Sequence, residues 1–354
     1  MRILNVADFN WMTGAERHSA RLSLFDICRK FTLAGTRANH LVVEFSDRAV
    51  ARMGSPLRLR GLGRGWANRR FLQCVDELRP DLILLHFADQ ISNKSLQEAR
   101  RISPGVLIAE INIDPIDTPK NQRRLSQRNG FVDALFVSTA EPDLGRYVSA
   151  SGFAAFLPNP VDPSIETGRT FENEAPAYDL LFPAHDDRPR EIGVGNLQPS
   201  VAVERLKQAV PSIRLNNPGI AGAPEAGGYR YFDALQSARI GWCLSRRATL
   251  PLYASDRMAH MFGWGQAVLI DRRSGFDRLY GANEAAFYDG WDDLLEQLRW
   301  MLADDQAARA MAASGWKRTW TLFESGRVLS YVLEQLGRDG GAGGYEWPCD
   351  RWHA

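Results

Sequence analysis

The 354-residue chain has only four cysteines, Cys28, Cys74, Cys243 and Cys349, and no two of them form a C-x-x-C pair. Such scatter excludes a disulfide framework and a zinc ribbon, and Cys28, Cys74 and Cys243 read as buried free thiols among apolar neighbours. Net charge is nearly absent: 43 Lys and Arg against 42 Asp and Glu leave +1. Bulk electrostatics therefore offers nothing to a nucleic acid. No apolar run approaches the ~20 residues that cross a bilayer, and "MRILNVADF" enters a strand with no charged-then-apolar leader. A cytoplasmic protein is expected. Signature loops are missing too. "WMTGAERH" is not G-x-G-x-x-G, which removes the nicotinamide and flavin fingerprint, and there is no Walker A, G-x-S-x-G, H-E-x-x-H or Asp-x-Asp. Those gaps exclude a hydrolase triad, an ATPase and a diphosphate-bound metal, so neither cofactor nor metal is expected.

What is present is alternation. The length exceeds one comfortable hydrophobic core, so two domains are expected. "RILNVADF", "HLVVEFS", "DLILLHFAD", "VLIAEINID" and "DALFVS" are short apolar runs separated by stretches of helical period, around residues 16–34, 66–78 and 94–102. Continuous apolar strands between helices predict a parallel sheet covered on both faces, a doubly wound Rossmann-like domain. "LPNPVDPSIETGRTFENEAPAYD" breaks the pattern with proline, asparagine and acid, a linker composition. The alternation then restarts with "YDLLFPAH", "ARIGWCLS" and "QAVLID" and ends in a long helical region from Trp291 to Leu336. The expected α/β organisation is a first Rossmann-like domain over 1–160, a hinge over 161–177 and a second such domain over 178–322. A helix over 323–338 is expected to pack back on the first domain, ahead of a flexible tail over 339–354. The two domains are expected to face a cleft.

Side chains just past the carboxyl ends of parallel strands line the binding crevice. In the first half these are Asp8, Asn10, Gly14, Arg17, His86, Asp89, Asp114, Ser138 and Thr139; in the second, His185, Asp186, Arg188, Ser245, Arg246 and Arg247. Structural roles compete at several of them, Asp114 as a turn residue and Asp89 as a helix N-cap. Gly14 and Arg17 mark a strand–loop–helix corner able to receive an anion or the acceptor. The richest corner is "YASDRMAHMFGWGQAVLID", 253–271. There Ser255 is placed to cap a helix starting at Asp256, Arg257 to meet a phosphate with its guanidinium fork, and His260, on the same face, to bond a ribose or base.

That corner, with "FYDGWDDLLEQLRWMLADDQAARAMAASGWKRTW" after it and "PDLILLHFAD", "AEINIDP", "VSTAEPDLGRY" and "LPNPVDPSIE" before it, resembles GT-B glycosyltransferases of the CgeB-like, bacterial surface-polysaccharide type over about residues 1–336. His260 stands where that group carries a Glu on the donor ribose, and the "YASDRMAHMFGWG" form is similar to retaining β-Kdo transferases. The resemblance implies transfer of a sugar from a nucleotide donor, with CMP-Kdo as the candidate, to a glycan or lipid-linked glycan such as O-antigen or capsule. Such an acceptor implies work at the inner face of the membrane. Arg257, Ser255, Asp256, Ser245, Arg246 and His260 would hold the donor, and the leaving phosphate would need no metal. Asp114, Asp89 or His86 would act as base or nucleophile. An inactive glycan- or nucleotide-binding protein of the same fold and a UDP- or GDP-hexose transferase are the alternatives.

Overall fold

The computed structural model describes residues 1–9, 27–55, 62–337 and 343–354. They divide into two compact units, Met1–Leu157 with Ser325–Ala354, and Pro158–Glu324. In the first unit β1 (Arg2–Ala7), α1 (Ile27–Arg37), β2 (Leu41–Ser46), α2 (Asp47–Met53), α3 (Leu62–Leu78), β3 (Leu82–His86), α4 (Asn93–Ile102), β4 (Leu107–Asn112), α5 (Pro119–Arg128), β5 (Ala134–Val137) and β6 (Phe153–Phe156) follow in order. All six strands are parallel, in the order β2-β1-β3-β4-β5-β6. β3 is buried at every position, which is why its sequence is continuously apolar instead of alternating. Leu4, Val6, Ile83, Leu85 and Ile108 of the sheet pack on Phe71 and Val75 of α3 and Leu96 of α4. The N-cap of α4 is Ser92, whose hydroxyl accepts from the Ser95 amide at 3.1 Å, and not Asp89.

The second unit repeats the plan with β7 (Tyr178–Leu181), β8 (Arg190–Ile192), β9 (Gly195–Leu197), α6 (Pro199–Ala209), β10 (Leu215–Asn216), α7 (Tyr229–Gln236), β11 (Ala238–Cys243), α8 (Asp256–Gly263), β12 (Ala267–Asp271), β13 (Ala286–Tyr288), α9 (Trp291–Ala303) and α10 (Asp305–Phe323). Its parallel sheet runs β10-β7-β11-β12-β13, with β8 and β9 a separate antiparallel hairpin. Phe182, Trp242, Leu269 and Tyr288 centre the core, where the Trp242 indole donates to the Tyr288 hydroxyl at 3.0 Å. The long helical region is interrupted at Asp304, whose side chain accepts from the Ala307 amide at 2.9 Å and starts α10.

Two boundaries differ from expectation. The stretch 161–177 is not a free hinge but part of the second unit. Thr170 donates both its amide (2.9 Å) and its hydroxyl (2.7 Å) to the Trp264 carbonyl, and Asp162, Ile165 and Glu166 are buried. Close approach requires small residues opposite: a Cβ on Gly263 would lie 2.6 Å from Glu166 Cγ. The polar composition that imitates a linker serves buried hydrogen bonds instead. The chain leaves the second unit at Glu324, and α11 (Ser325–Leu336) packs in the first, Arg37 of α1 donating to the Ser325 hydroxyl at 2.7 Å.

The second difference is the tail. Residues 343–354 are docked on the first unit. Trp352 and Ala154 exchange backbone hydrogen bonds at 2.8 and 2.9 Å, antiparallel to β6. Trp347 is 2% exposed, against Tyr331 and Tyr345, and the Arg327 guanidinium lies 4.9 Å from the Tyr345 and Trp347 rings. β6 is a sheet edge, and such an open row of N–H and C=O groups is stabilised by covering it. Among the described residues no helix is long and apolar enough to cross a membrane. Replacing Trp347 by Ala is expected to cost about 3 kcal/mol of the first unit's stability. Val194→Ala, at a fully exposed residue, should stay within about 0.5 kcal/mol. Denaturant unfolding of the full chain measures both.

Candidate functional site

In each unit the strand order reverses once, between β1 and β3 and between β7 and β11, and ligands of open α/β sheets bind beyond the carboxyl ends of strands at such points. In the second unit one side chain spans the reversal. Arg257, in the first turn of α8, donates to the Pro183 carbonyl past β7 at 2.7 Å and to the Leu244 carbonyl past β11 at 3.2 Å. Its Nε donates to the Ser255 hydroxyl at 3.2 Å. Ser255 therefore does not act as the expected cap. It holds the N-cap position, but its hydroxyl accepts from no helix amide, because it is turned to the guanidinium.

A second guanidinium converges on the same carbonyl. Arg190 of β8, 3% exposed, donates to Leu244 O at 3.0 Å, while its Nε has no partner among the described residues. Burial first, then repulsion from Arg257 and Arg246 against the pull of Asp186, lowers its pKa to about 9. Arg246 is bonded to Asp186, with Arg188 3.3 Å from that carboxylate. Ser245 is half-buried beside them, and Asp256 Oδ1 is buried without a described partner. The structure thus gathers Arg257, Ser255, Arg246 and Ser245 of the expected donor residues around Arg190, which sequence reasoning missed. "HDDRPREIG" shows charge after a strand, but not which arginine turns inward.

His260 is buried, with Nδ1 2.6 Å from Glu166 Oε1 and the Glu166 side chain fully enclosed. The Tyr231 ring stands edge-on to the imidazole at 5.7 Å. Glu166 escaped notice because its segment reads as a linker.

In the first unit Asp89 and Asp114 belong to a chain of ion pairs across the strand exits. Asp8 meets Arg48 (3.4 Å), Arg48 meets Asp89 (3.2 Å), and Arg124 joins Asp89 (3.0 Å) to Asp114 (3.3 Å). Arg124 also stacks 4.6 Å from the centre of the Phe87 ring, and Phe87 is held at φ +48°, a strained backbone for an aromatic residue. Burial alone would raise the Asp89 carboxyl, but hydrogen bonds and charge from Arg124 and Arg48 hold it below its ordinary value. Asp89 is accordingly a poor base. His86 is no better placed. It is 5% exposed and packs on Phe31, its ring nitrogens have no described partner, and burial lowers it to about 3. Glu110 of β4, unnoticed within an apolar strand, is 2% exposed and pushed up to about 7 by burial, against Arg128 and Arg124. Gly14 and Arg17 lie outside the described residues.

Residues 201–334 match the family described as "Glycosyl transferase-like". Over that stretch the chain is similar to a glycosyltransferase domain. Solved structures resemble it along nearly its whole length. Anabaena Alr3699/HepE in complex with UDP and glucose is 13% identical with a TM-score of 0.57, over 95% of this chain and 99% of that one. Sucrose-phosphate synthase from Thermosynechococcus elongatus is 13% identical with a TM-score of 0.57, over 95% and 98%. AviGT4, a glycosyltransferase involved in avilamycin A biosynthesis, is 11% identical with a TM-score of 0.54, over 94% and 96%. At these identities the likeness defines the fold, two Rossmann-like units of GT-B type. No curated protein sequence matches the chain.

His86 gives the first unit an acid-sensitive element. Its folded pKa, about 3, lies below the ordinary 6.5, so between those values the unfolded chain binds the extra proton. Its contribution is present above pH 6.5 and is lost as pH falls toward 3, by a few kcal/mol in all. His86→Phe should flatten that part of the stability–pH profile in denaturant titrations, and an unchanged slope would show that the imidazole is hydrated.

Proposed function

We propose that this glycosyltransferase takes a nucleotide-activated sugar and receives the donor phosphate at the β7/β11 reversal. The observation that carries the reading is the pair of guanidinium groups on the Leu244 carbonyl, at 3.0 and 3.2 Å, next to Arg246. Positive charge is concentrated where Asp186 is the nearby acid, and a phosphate would complete it. The likeness to a structure holding UDP and glucose supports a uridine diphosphate hexose. The arginine cluster supports CMP-Kdo, whose phosphate and carboxylate make it doubly anionic. The acceptor class remains a bacterial surface glycan, lipid-linked where the reaction takes place at a membrane. Of the first unit's carboxylates, Asp114 is the more open, its side chain 54% exposed against 37% for Asp89, and is the preferred base.

One observation favours a second reading, a nucleotide- or glycan-binding protein without turnover. His260 is engaged inside the unit by Glu166, at 2.6 Å, and is not open to a ribose.

Calorimetric titration with UDP-glucose and CMP-Kdo tests the donor site. Arg246→Ala should weaken the preferred donor at least about tenfold, near 1.4 kcal/mol. Arg257→Ala should do the same and also lower stability by about 1.5–3 kcal/mol through the two lost carbonyl bonds. Unchanged donor affinity in a folded Arg246→Ala protein would remove the phosphate role. Donor binding with no nucleotide released to any glycan acceptor would favour the second reading.

A further inference from the structure

The first unit contains a pocket of about 330 Å³, entirely its own, walled by the β3–α4 loop, α5 and Arg64 of α3 and floored by Glu110. That volume lies at the lower end for small-molecule sites, about 300–1,000 Å³. Glu110 is the unexplained group in it. The nearest cation, Arg128 Nε, is 3.9 Å from its Oε2, too far for a hydrogen bond. Arg128 is directed elsewhere: it donates to Asn93 Oδ1 (2.7 Å) and to the carbonyls of Ala88 (2.8 Å) and Ile91 (3.1 Å). Glu110 Oε2 is consequently buried with no hydrogen-bond partner among the described residues. A carboxylate retained only to balance Arg128 would close on it, since a buried pair is stabilising only with full hydrogen bonding. Here the acceptor is left unbonded on a side chain that lines a cavity.

The walls select the ligand. Arg124 is held in a fork by both oxygens of Asp89, at 3.0 Å each, and Arg128 is fixed by carbonyls, so neither can turn to a phosphate without breaking those bonds. Asp89 and Glu110 offset Arg124 and Arg128, and the third arginine of the lining, Arg64, is exposed to solvent. Asn93 and Gln127 add amide groups that both donate and accept. A ring carrying several hydroxyls, each able to donate and accept, matches such a lining; an anion does not.

We propose that this pocket is a subsite for a neutral monosaccharide unit, with a ligand hydroxyl donating to Glu110. The inference rests on the glycosyltransferase reading for its biological sense, since the sugar would belong to the acceptor glycan, but it concerns different residues from the donor site. Four charged groups face Glu110: Arg124 and Arg128 from α5, Asp89 from the loop after β3, and Arg64 from α3. A hydroxyl bonds more strongly to the ionised carboxyl, so sugar affinity should rise as pH increases through about 7.

Saturation-transfer NMR on the full chain, with methyl glycosides of glucose, galactose and mannose and with N-acetylglucosamine as probes, tests this. At least one probe should bind the native protein. Glu110→Gln should weaken it about tenfold or more and abolish the pH dependence, and Gln127→Ala, at the pocket wall, should weaken it while retaining the pH dependence. Absence of binding by every probe, undiminished binding in both variants, or competition by inorganic phosphate would overturn the assignment. UDP titration of the same samples keeps the two readings apart: lost nucleotide binding in the native protein counts against the donor site alone, and lost sugar binding with normal UDP affinity counts against the pocket alone.

Discussion

One carbonyl oxygen, that of Leu244, accepts hydrogen bonds from two guanidinium groups, and through Arg257 it is joined to the exit of β7. To bring Arg190 and Arg257 together, the chain must leave β7 and β11 on opposite sides of a strand reversal and then return α8 across the gap. Each arginine ties a loop to a strand exit. Together they place like charges close, at one buried site, which is unfavourable unless carbonyl dipoles and an anion answer them. The carbonyls are built in and Asp186 supplies one carboxylate nearby; on the proposed reading a phosphorylated ligand supplies a further anion.

The first unit has the same order of strands in its first five positions and the opposite electrostatic solution. Its strand exits carry alternating charges, from Asp8 through Arg48, Asp89 and Arg124 to Asp114, so no excess of one sign accumulates. Its buried acids lie deeper. Asp47, the first residue of α2, is pushed up to about 6 by burial although it accepts from the Arg48 and Gln90 amides at 2.7 and 3.0 Å, and Glu110 lines the pocket. One topology thus gathers arginines in one unit and a chain of alternating ion pairs in the other, the difference residing in side chains after strand ends and not in the fold.

The strands were legible because a parallel sheet covered on both faces demands unbroken apolar runs, and 82–86 or 267–271 cannot easily be anything else. The packing of 161–177 was not legible. Proline, asparagine and acid suggest exposure, and only the structure reveals that Thr170 and Glu166 are directed inward. The tail misled in the same way, since its glycines conceal two tryptophans that anchor it along β6. Within the site, Arg257 was visible from its place at a helix start. Arg190 was not, because five charged residues share its loop and their directions depend on a short hairpin. Glu110 did leave a trace, a single acid inside an apolar strand, and such an acid warrants a search for a cavity.

The altered position on α8 gains meaning from this packing. At the place on α8 where the resemblance leads one to expect a Glu, this chain has His260, and a carboxylate comes from elsewhere: Glu166, from the preceding segment, lies 2.6 Å from the imidazole. Its second oxygen accepts from the Asp162 amide at 2.6 Å, so the carboxylate is fixed beside the ring. The acid beside α8 thus comes from the segment 161–177, which the second unit holds through Thr170 and Glu166.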